Sequence, residues 1–224
     1  MARFYNCQAL RQCERRFMTK LGRVAWLKEE FFDRDPRRVA RALLGKLLVR
    51  TTPGAVLAGR IVETEAYLGK DDPAAHSFIG QTPRNAVMFG PPGRAYVYFI
   101  YGNHYCLNVT CQPPGVAGAV LFRALEPVVG IEQMATVRGI TLDEKTDLRK
   151  ISSGPGRMAQ ALGVTRVRDN EKNFVSAKSD LRIGDDGYRV GRMVATTRIG
   201  ITKAADMPLR YLIAGNRFVS GPKL

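Results

Sequence analysis

One alternating segment limits what this chain can fold into. Residues 55–67, AVLAGRIVETEAY, predict a long β-strand that places Ile61, Glu63, Glu65 and Tyr67 on one face. Carboxylates two positions apart on a strand have Cα atoms about 6–7 Å apart. Because buried acidic residues are uncommon unless they are paired, two of them within an apolar strand indicate a functional site.

A second constraint is the tyrosine-rich segment at 94–111, RAYVYFIYGNHYCLNVTC. Two apolar runs flank the Gly-Asn pair at 102–103, which predicts a β-hairpin with a two-residue type II′ turn. Tyr96 and Tyr98 would share one face. Tyr101 directly precedes the turn, where an aromatic side chain is poorly placed for the core. We expect its side chain either to insert as a wedge into a partner or to pack on a neighbouring loop.

The other predicted elements follow from caps, turns and spacing. Asp35 and Pro36 predict a helix start, and leucines recur at helical spacing as far as Leu48. Arg123 lies in a predicted apolar strand, so we expect an acceptor such as a carboxylate beside it. The remaining predictions are a helix start at Thr82-Pro83, a helix after Gly154 whose N-terminus could hold a phosphate, a hairpin about Asp186-Gly187, and a strand pair at 209–219 with a Gly215-Asn216 turn.

Charge narrows the class of partner. The 224 residues include 35 lysines and arginines against 20 acidic residues, a formal net charge of +15. An excess of this size favours a polyanionic partner, with nucleic acid ahead of an anionic membrane surface. The length is typical of one domain. We interpret residues 1–30 as a basic N-terminal extension and residues 31–224 as the domain.

Cysteine and histidine positions argue against a metal or disulfide framework. The four cysteines, at positions 7, 13, 106 and 111, form no C-x-x-C pair, and His76 and His104 are the only histidines. We therefore expect no metal and no cofactor, and a reducing compartment. No apolar run reaches membrane-spanning length, so we predict no membrane partner and an intracellular protein, cytoplasmic if the host is bacterial.

A linked series of segments gives a more specific prediction. In order along the chain they are IVETEAYLG, AAHS, QTPRN, MF, PG-x-x-YVY-x-IYG, the strand with Asn108, RALEP, and the SGP and ALG pair at 153–163. This series, which runs from about Pro36 to the last strands, resembles the alkyladenine (3-methyladenine) DNA glycosylases of the methylpurine type. The first thirty residues have no counterpart in the resemblance.

The resemblance implies a fold and a set of roles. It implies a mixed α/β (α+β) single domain with a curved antiparallel sheet, flanking helices and a protruding hairpin that inserts into DNA. Glu65 would be the general base, with Arg123 and the carbonyl of Ile199 holding the water. The other implied roles are base stacking by Tyr67, His76 and Tyr98, intercalation by Tyr101, and rejection of guanine by Asn108.

The implied function is a monofunctional repair glycosylase. It would flip alkylated or deaminated purines out of double-stranded DNA and hydrolyse the N-glycosidic bond with an activated water, leaving an abasic site. It would act as a monomer. A base that leaves from a cationic form needs no general acid, and tyrosine faces attract cations.

Three alternative hypotheses place the protein in other functional classes. The first is a non-catalytic nucleic-acid-binding protein that stacks bases on Tyr96, Tyr98 and Tyr101, which would bind without releasing a base. The second is a carbohydrate glycosidase with Glu63 and Glu65 as its carboxylate pair, although adjacent positions on one strand cannot easily flank a glycosidic bond. The third, a helix-hairpin-helix repair enzyme, would require a mostly helical chain.

Overall fold

The computed structural model describes residues 22–100, 102 and 104–221, and the alternating segment lies at the centre of a large open antiparallel sheet. In the described residues the strands are β1 (Ala25–Trp26), β2 (Leu47–Thr52), β3 (Ala55–Tyr67), β4 (Ala95–Ile100), β5 (His104–Thr110), β6 (Ala119–Val129), β7 (Leu181–Asp185), β8 (Met193–Thr196) and β9 (Arg210–Ile213). The helices are α1 (Glu29–Phe32), α2 (Pro36–Leu43), α3 (Ile131–Val137), α4 (Arg149–Ser152), α5 (Pro155–Ala161) and α6 (Arg166–Asp169), with 3-10 helices at Gly69–Asp71 and Ala86–Phe89.

β3 has hydrogen-bonded neighbours on both edges over most of its length. The sheet runs β1-β7-β2-β3-β6-β5-β4, and β9 pairs with both β3 and β8. The first half of β3 pairs with β2, its second half pairs with β9, and β6 follows the opposite edge. Residues 57–66 are all buried. The predicted strand is confirmed residue for residue, and so is the mixed α/β single-domain class.

Helix α2 covers one face of β3. Asp35 caps it by accepting a hydrogen bond from the Arg37 amide at 2.8 Å, and Pro36 occupies its first turn, as predicted. Thr64 on β3 donates its hydroxyl to the Ala40 carbonyl of α2 at 2.9 Å. The face of β3 that carries Thr64 therefore packs on the helical layer, which leaves the Glu63 and Glu65 side chains for the opposite face.

The predicted length of α2 was wrong. The helix ends at Leu43, and Leu47 and Leu48 begin β2 instead. Gly45 has a φ of +82°, a left-handed conformation that stops a helix and that glycine adopts without strain. Apolar residues at 47 and 48 fit a buried strand as well as a helix, so their spacing alone could not decide between the two.

Two predicted hairpins near the C-terminus were wrong. β7 pairs with β1 and β2, whereas β8 pairs with β9, so residues 186–187 do not join two paired strands. Asp186 instead forms a salt bridge with Arg60. In the last segment only Arg210–Ile213 is a strand, and β9 finds its partners in β3 and β8 rather than beyond Gly215.

Two predicted helix starts had different outcomes. Gly154 and Pro155 open α5 as predicted. At Thr82 the chain makes a turn, in which the Asn85 side chain accepts from the Thr82 amide at 2.7 Å, and only the short 3-10 helix Ala86–Phe89 follows. The polar loop is therefore held by side-chain hydrogen bonds rather than by a helix.

β4 and β5 pair antiparallel, as the predicted hairpin requires, and their last described register pair is Ile100 with His104. The predicted Gly102-Asn103 turn includes Asn103, which lies outside the described residues. Only the last residues of β5, from Asn108, pair with β6, which leaves the distal half of the hairpin beyond that strand. Tyr101 lies outside the described residues, as does most of the predicted extension. Within that extension β1 pairs with β7.

Candidate active site

One cavity of about 480 Å³ brings together the described residues to which the family resemblance gave a role. It opens between β3, β5 and β6 of the sheet, the start of α5 and the loop at 199–201. Its volume is typical of a small-molecule site, for which the range is about 300–1,000 Å³. The predicted site residues on its wall are Glu65, Tyr67, His76, Tyr98, Asn108, Arg123 and Ile199.

Glu65 is held on the cavity wall by three donors. Its Oε1 accepts from the Ile199 amide at 2.9 Å and faces Arg123 Nη1 at 3.1 Å, and its Oε2 accepts from the Tyr67 hydroxyl at 2.9 Å. An ionised carboxylate offers about four lone-pair positions. The three protein donors therefore leave room for one more, such as a water in the cavity.

Glu63, two residues earlier, is enclosed by protein. Its Oε1 accepts from Arg123 Nε at 3.1 Å and Arg210 Nε at 2.6 Å, and its Oε2 accepts from the Ser220 amide at 2.6 Å. Glu63 is fully buried and does not line the cavity. The sheet register shifts on both sides of Glu63, an irregularity that often occurs next to active sites. The two carboxylates therefore have different environments.

Arg123 connects the two carboxylates, whereas its apolar strand context predicted one acceptor, either a carboxylate or a bound water. Its guanidinium faces Glu63 and Glu65, and its Nη2 lies 3.3 Å from the Ser220 hydroxyl. Burial alone would lower the pKa of Arg123, but the two carboxylates outweigh it and raise that pKa. Arg123 is therefore a permanent cation that fixes the Glu65 carboxylate in one position.

Tyr67 closes the carboxylate side of the cavity. Burial raises the pKa of its hydroxyl, and the neighbouring Glu65 charge raises it further. The hydroxyl therefore stays protonated and donates to Glu65. Its ring remains available as an apolar wall beside the carboxylate.

Three aromatic rings build the other wall. His76 lies edge-on to Tyr98 at a ring distance of 4.6 Å, and Tyr96 lies 5.5 Å from Tyr98. The His76 Nδ1 is 2.8 Å from the Tyr96 hydroxyl. Burial, reinforced by the charge of Arg84, lowers the pKa of His76. The wall at neutral pH is therefore uncharged and presents π-faces, a surface that suits a flat or cationic ring.

Asn108 and Cys106 line the cavity from β5. The Asn108 amide nitrogen donates to the Tyr96 carbonyl at 3.0 Å, which fixes the orientation of its amide group. Cys106 is paired in register with Tyr98, and burial raises the pKa of its thiol. Both side chains therefore contribute neutral, fixed groups to the cavity.

Several cavity residues were missing from the predicted set. Tyr96 shares the face of Tyr98, so alternation along β4 could have placed it there. The start of α5 was predicted as a helix start that could hold a phosphate and not as a cavity wall, of which residues 153–157 form part. Cys106 and His104 carry no signal of their own in the sequence, and Met88 entered only as part of the MF segment of the resemblance. They reach the cavity because strands and loops distant in sequence meet there.

Neither a metal cluster nor a membrane helix accompanies this site in the part of the chain that the structure describes. No group of three or more histidine, cysteine or acidic residues there could hold a metal ion. The longest helix in the same residues, α2, has eight residues, and none is long and apolar enough to cross a membrane.

Comparison with known proteins identifies the class that this fold and site define. The model of the methylpurine-DNA glycosylase family matches residues 30–217. A relative from Koribacter versatilis is 62% identical over 205 residues, which cover 92% of this chain and 98% of the relative. A relative from Methanoculleus marisnigri is 48% identical over 200 residues, 87% of this chain and 98% of its own. Both carry the name "Putative 3-methyladenine DNA glycosylase".

The chain belongs to the methylpurine-DNA glycosylase family. It is a DNA-repair enzyme, a monofunctional DNA glycosylase that hydrolyses N-glycosidic bonds, and its substrate is DNA. The resemblance given by the sequence segments is confirmed. The non-catalytic binding protein finds no support among these matches.

Proposed function

We propose that the enzyme excises alkylated and deaminated purines from double-stranded DNA, with Glu65 as the general base. The observation that carries this proposal is the position of Glu65: a buried carboxylate on a cavity wall, paired with Arg123 and facing an aromatic wall. The names of the relatives support 3-methyladenine as one substrate.

The proposed reaction has one water, one carboxylate and one leaving base. Water held by Glu65, Arg123 and the Ile199 carbonyl attacks C1′ of the flipped nucleotide, and Glu65 takes a proton from it. The bond between C1′ and the purine nitrogen breaks, and its electron pair leaves with the base. A base alkylated at a ring nitrogen leaves as a neutral purine, so this path needs no general acid. A deaminated purine leaves as an anion and becomes the free base by taking up a proton after the bond breaks. The products are the free base and an abasic site.

The cavity walls account for selection among purines. Tyr67, His76 and Tyr98 stack on the flipped base, and their π-faces favour a cationic ring over a neutral one by about 0.5–2 kcal/mol. Asn108 is fixed by its bond to the Tyr96 carbonyl, so it disfavours a guanine that brings its 2-amino group to the same place. A site with fixed polar groups rejects a wrong substrate mainly by leaving those groups unpaired.

Access to a base in duplex DNA requires extrusion, at a cost of a few kcal/mol. We place Tyr101 in the gap that the extruded nucleotide leaves. Its place in the sequence, directly after the last residue of β4, supports this role, since inserted side chains offset unstacking. The net charge of +15 supports a phosphate grip that is independent of sequence and weakens with salt. We propose that the enzyme acts as a monomer, inside the cell where the genome is, and in the cytoplasm if the host is bacterial.

The experiment is a panel of duplexes, each with one damaged purine, scored for abasic sites. We expect release of 3-methyladenine, and the panel then decides whether hypoxanthine and ethenoadenine are also released. E65Q is the matched control, because glutamine keeps the shape of glutamate but cannot take a proton from water. Wild-type enzyme that binds every duplex and releases no base would contradict the proposal.

A further inference from the structure

Arg198 and Asp72 join the two loops that border the cavity, although neither lines it. Asp72 lies between Tyr67 and His76 in sequence, and Arg198 immediately precedes Ile199. The side chains of both residues are fully buried. A buried ion pair is costly to form and is weak evidence for stability. Because the pair lies between two loops of the site, we expect the pair to have a role in the site.

Asp72 is saturated with donors. Its Oδ1 accepts from Arg198 Nη2 at 2.8 Å and from the Ala74 amide at 3.1 Å. Its Oδ2 accepts from the Leu68 amide at 3.2 Å and from Arg198 Nη1. The carboxylate therefore fixes the backbone on both sides of itself, along the loop that leads from the end of β3 to His76.

Arg198 reaches from this carboxylate to the catalytic strand. Its Nη1 also donates to the Ala66 carbonyl at 3.0 Å, and Ala66 lies between Glu65 and Tyr67 on β3. The guanidinium carbon lies 4.7 Å from the centre of the Tyr67 ring. The next residue, Ile199, donates its amide to Glu65 Oε1. One side chain therefore connects the His76 loop, the strand that carries the carboxylate and the backbone that contacts it.

We infer that Arg198 and Asp72 form a positioning pair that sets the Ile199 backbone and the Tyr67 ring against Glu65. The inference rests on the proposed role of Glu65. The planar guanidinium is needed because it donates in several fixed directions at once, which a lysine ammonium does not reproduce. Neither residue touches the cavity, so the pair acts through Ile199 and Tyr67. A displacement of about 1 Å at a catalytic group can lower a rate by about 10²-fold.

The test separates rate from binding in R198K and D72N. R198K keeps the charge and much of the length but loses the fork, and D72N keeps the shape but loses the ion pair. We expect the maximal single-turnover excision rate to fall at least tenfold in both variants, while the Kd for lesion-containing duplex changes less than threefold. R198K is the milder change, and it decides the question alone if D72N does not fold.

The chain contains a matched control pair remote from the cavity. Arg60 binds Asp186 with two nitrogens at 2.9 Å each, donates to the Gly45 carbonyl at 2.7 Å and lies 4.0 Å from the Tyr188 ring centre. This arrangement repeats that of Arg198 without a residue on the cavity wall. R60K and D186N should lose stability and keep the wild-type excision rate per folded molecule.

Two results would overturn the inference. The first is a wild-type maximal rate in folded R198K. The second is an equal loss of rate in R60K, which would make the effect a general consequence of breaking an arginine–aspartate pair. E65Q and the wild type, run in the same assay, test the proposed function separately. Excision by the wild type that E65Q does not lose refutes the role of Glu65 whatever R198K does.

Discussion

Glu63 and Glu65 lie two residues apart on the same strand, and both are fully buried. Each carboxylate receives one backbone amide, from Ser220 in one case and Ile199 in the other. The two carboxylates differ in their remaining hydrogen-bond donors. Two arginines close around Glu63, whereas Glu65 has one arginine, a tyrosine hydroxyl and the open cavity.

Burial and charge alone therefore do not distinguish the carboxylate that we propose as the general base. Glu63 offsets two guanidinium groups inside the protein, and removing one partner of such a cluster leaves a buried charge without compensation. Glu65 has the same strand, the same face, the same degree of burial and the same number of donors, but it alone lines the cavity, where a further group can reach its remaining lone pair. We propose that Glu63 serves stability and Glu65 the chemistry.

The largest effect should come from E65Q. Glutamine keeps the shape and part of the hydrogen bonding but does not take a proton from water. We therefore expect excision to fall by about 10²–10⁴-fold, the usual contribution of a positioned general base, while lesion binding is retained. Single-turnover excision of an alkylated purine, with binding measured in parallel, checks both parts. Near-normal excision would sink the mechanism.

E63Q should lower the stability of the protein more than its excision rate. The change removes the charge that Arg123 and Arg210 share and places an amide near the Ser220 N–H, so we expect a loss of about 3–5 kcal/mol in the free energy of unfolding. The excision rate per folded molecule should fall less than in E65Q. Denaturant unfolding and active-site-normalised kinetics measure the two effects. Equal losses of rate in both variants would instead indicate that the carboxylates act as a coupled pair.

Y67F tests the donor that only Glu65 has. The substitution keeps the aromatic wall and removes the hydroxyl that lies 2.9 Å from Glu65 Oε2. A hydrogen bond to a charged group contributes about 1.5–3 kcal/mol, so excision should fall roughly tenfold or more with base stacking intact. The check is the maximal excision rate together with the affinity for lesion-containing DNA. A loss confined to affinity would show that the hydroxyl serves binding instead.

The strand itself could be predicted because alternation is a local signal. β3 follows the predicted bounds, and the same-face placement of Glu63 and Glu65 brought both to Arg123. The acceptor for Arg123 was also predictable, since a buried arginine requires one. The misreadings came where local signals are ambiguous. Apolar residues at 47 and 48 fit a helix or a strand, and a glycine turn after β7 fits a hairpin whose partner lies elsewhere.

The separation of the two glutamates could not be predicted from local pattern. The partners that close around Glu63 come from Arg210 and Ser220, about 150 residues away in sequence. Nothing in the β3 segment distinguishes position 63 from position 65, so only the family resemblance favoured Glu65. The pairing of β9 with the second half of β3 supplies the distinction. Such pairing depends on the whole sheet rather than on the segments it joins.

The smallest predicted effect concerns S220A. This variant tests whether the residues around Glu63 influence Glu65 through Arg123. The Ser220 hydroxyl accepts from Arg123 Nη2 at 3.3 Å, and its backbone amide, which alanine keeps, is the group that binds Glu63. Loss of one such hydrogen bond should lower the free energy of unfolding by about 0.5–1.5 kcal/mol. Arg123 retains its contacts with both carboxylates, so the Glu65 side of the guanidinium should not move and excision should match the wild type. Denaturant unfolding and single-turnover excision check the two parts. A stable S220A with a clearly slower excision rate would mean that the Glu63 cluster positions Arg123 for catalysis, and the division between a structural and a catalytic carboxylate would then fail.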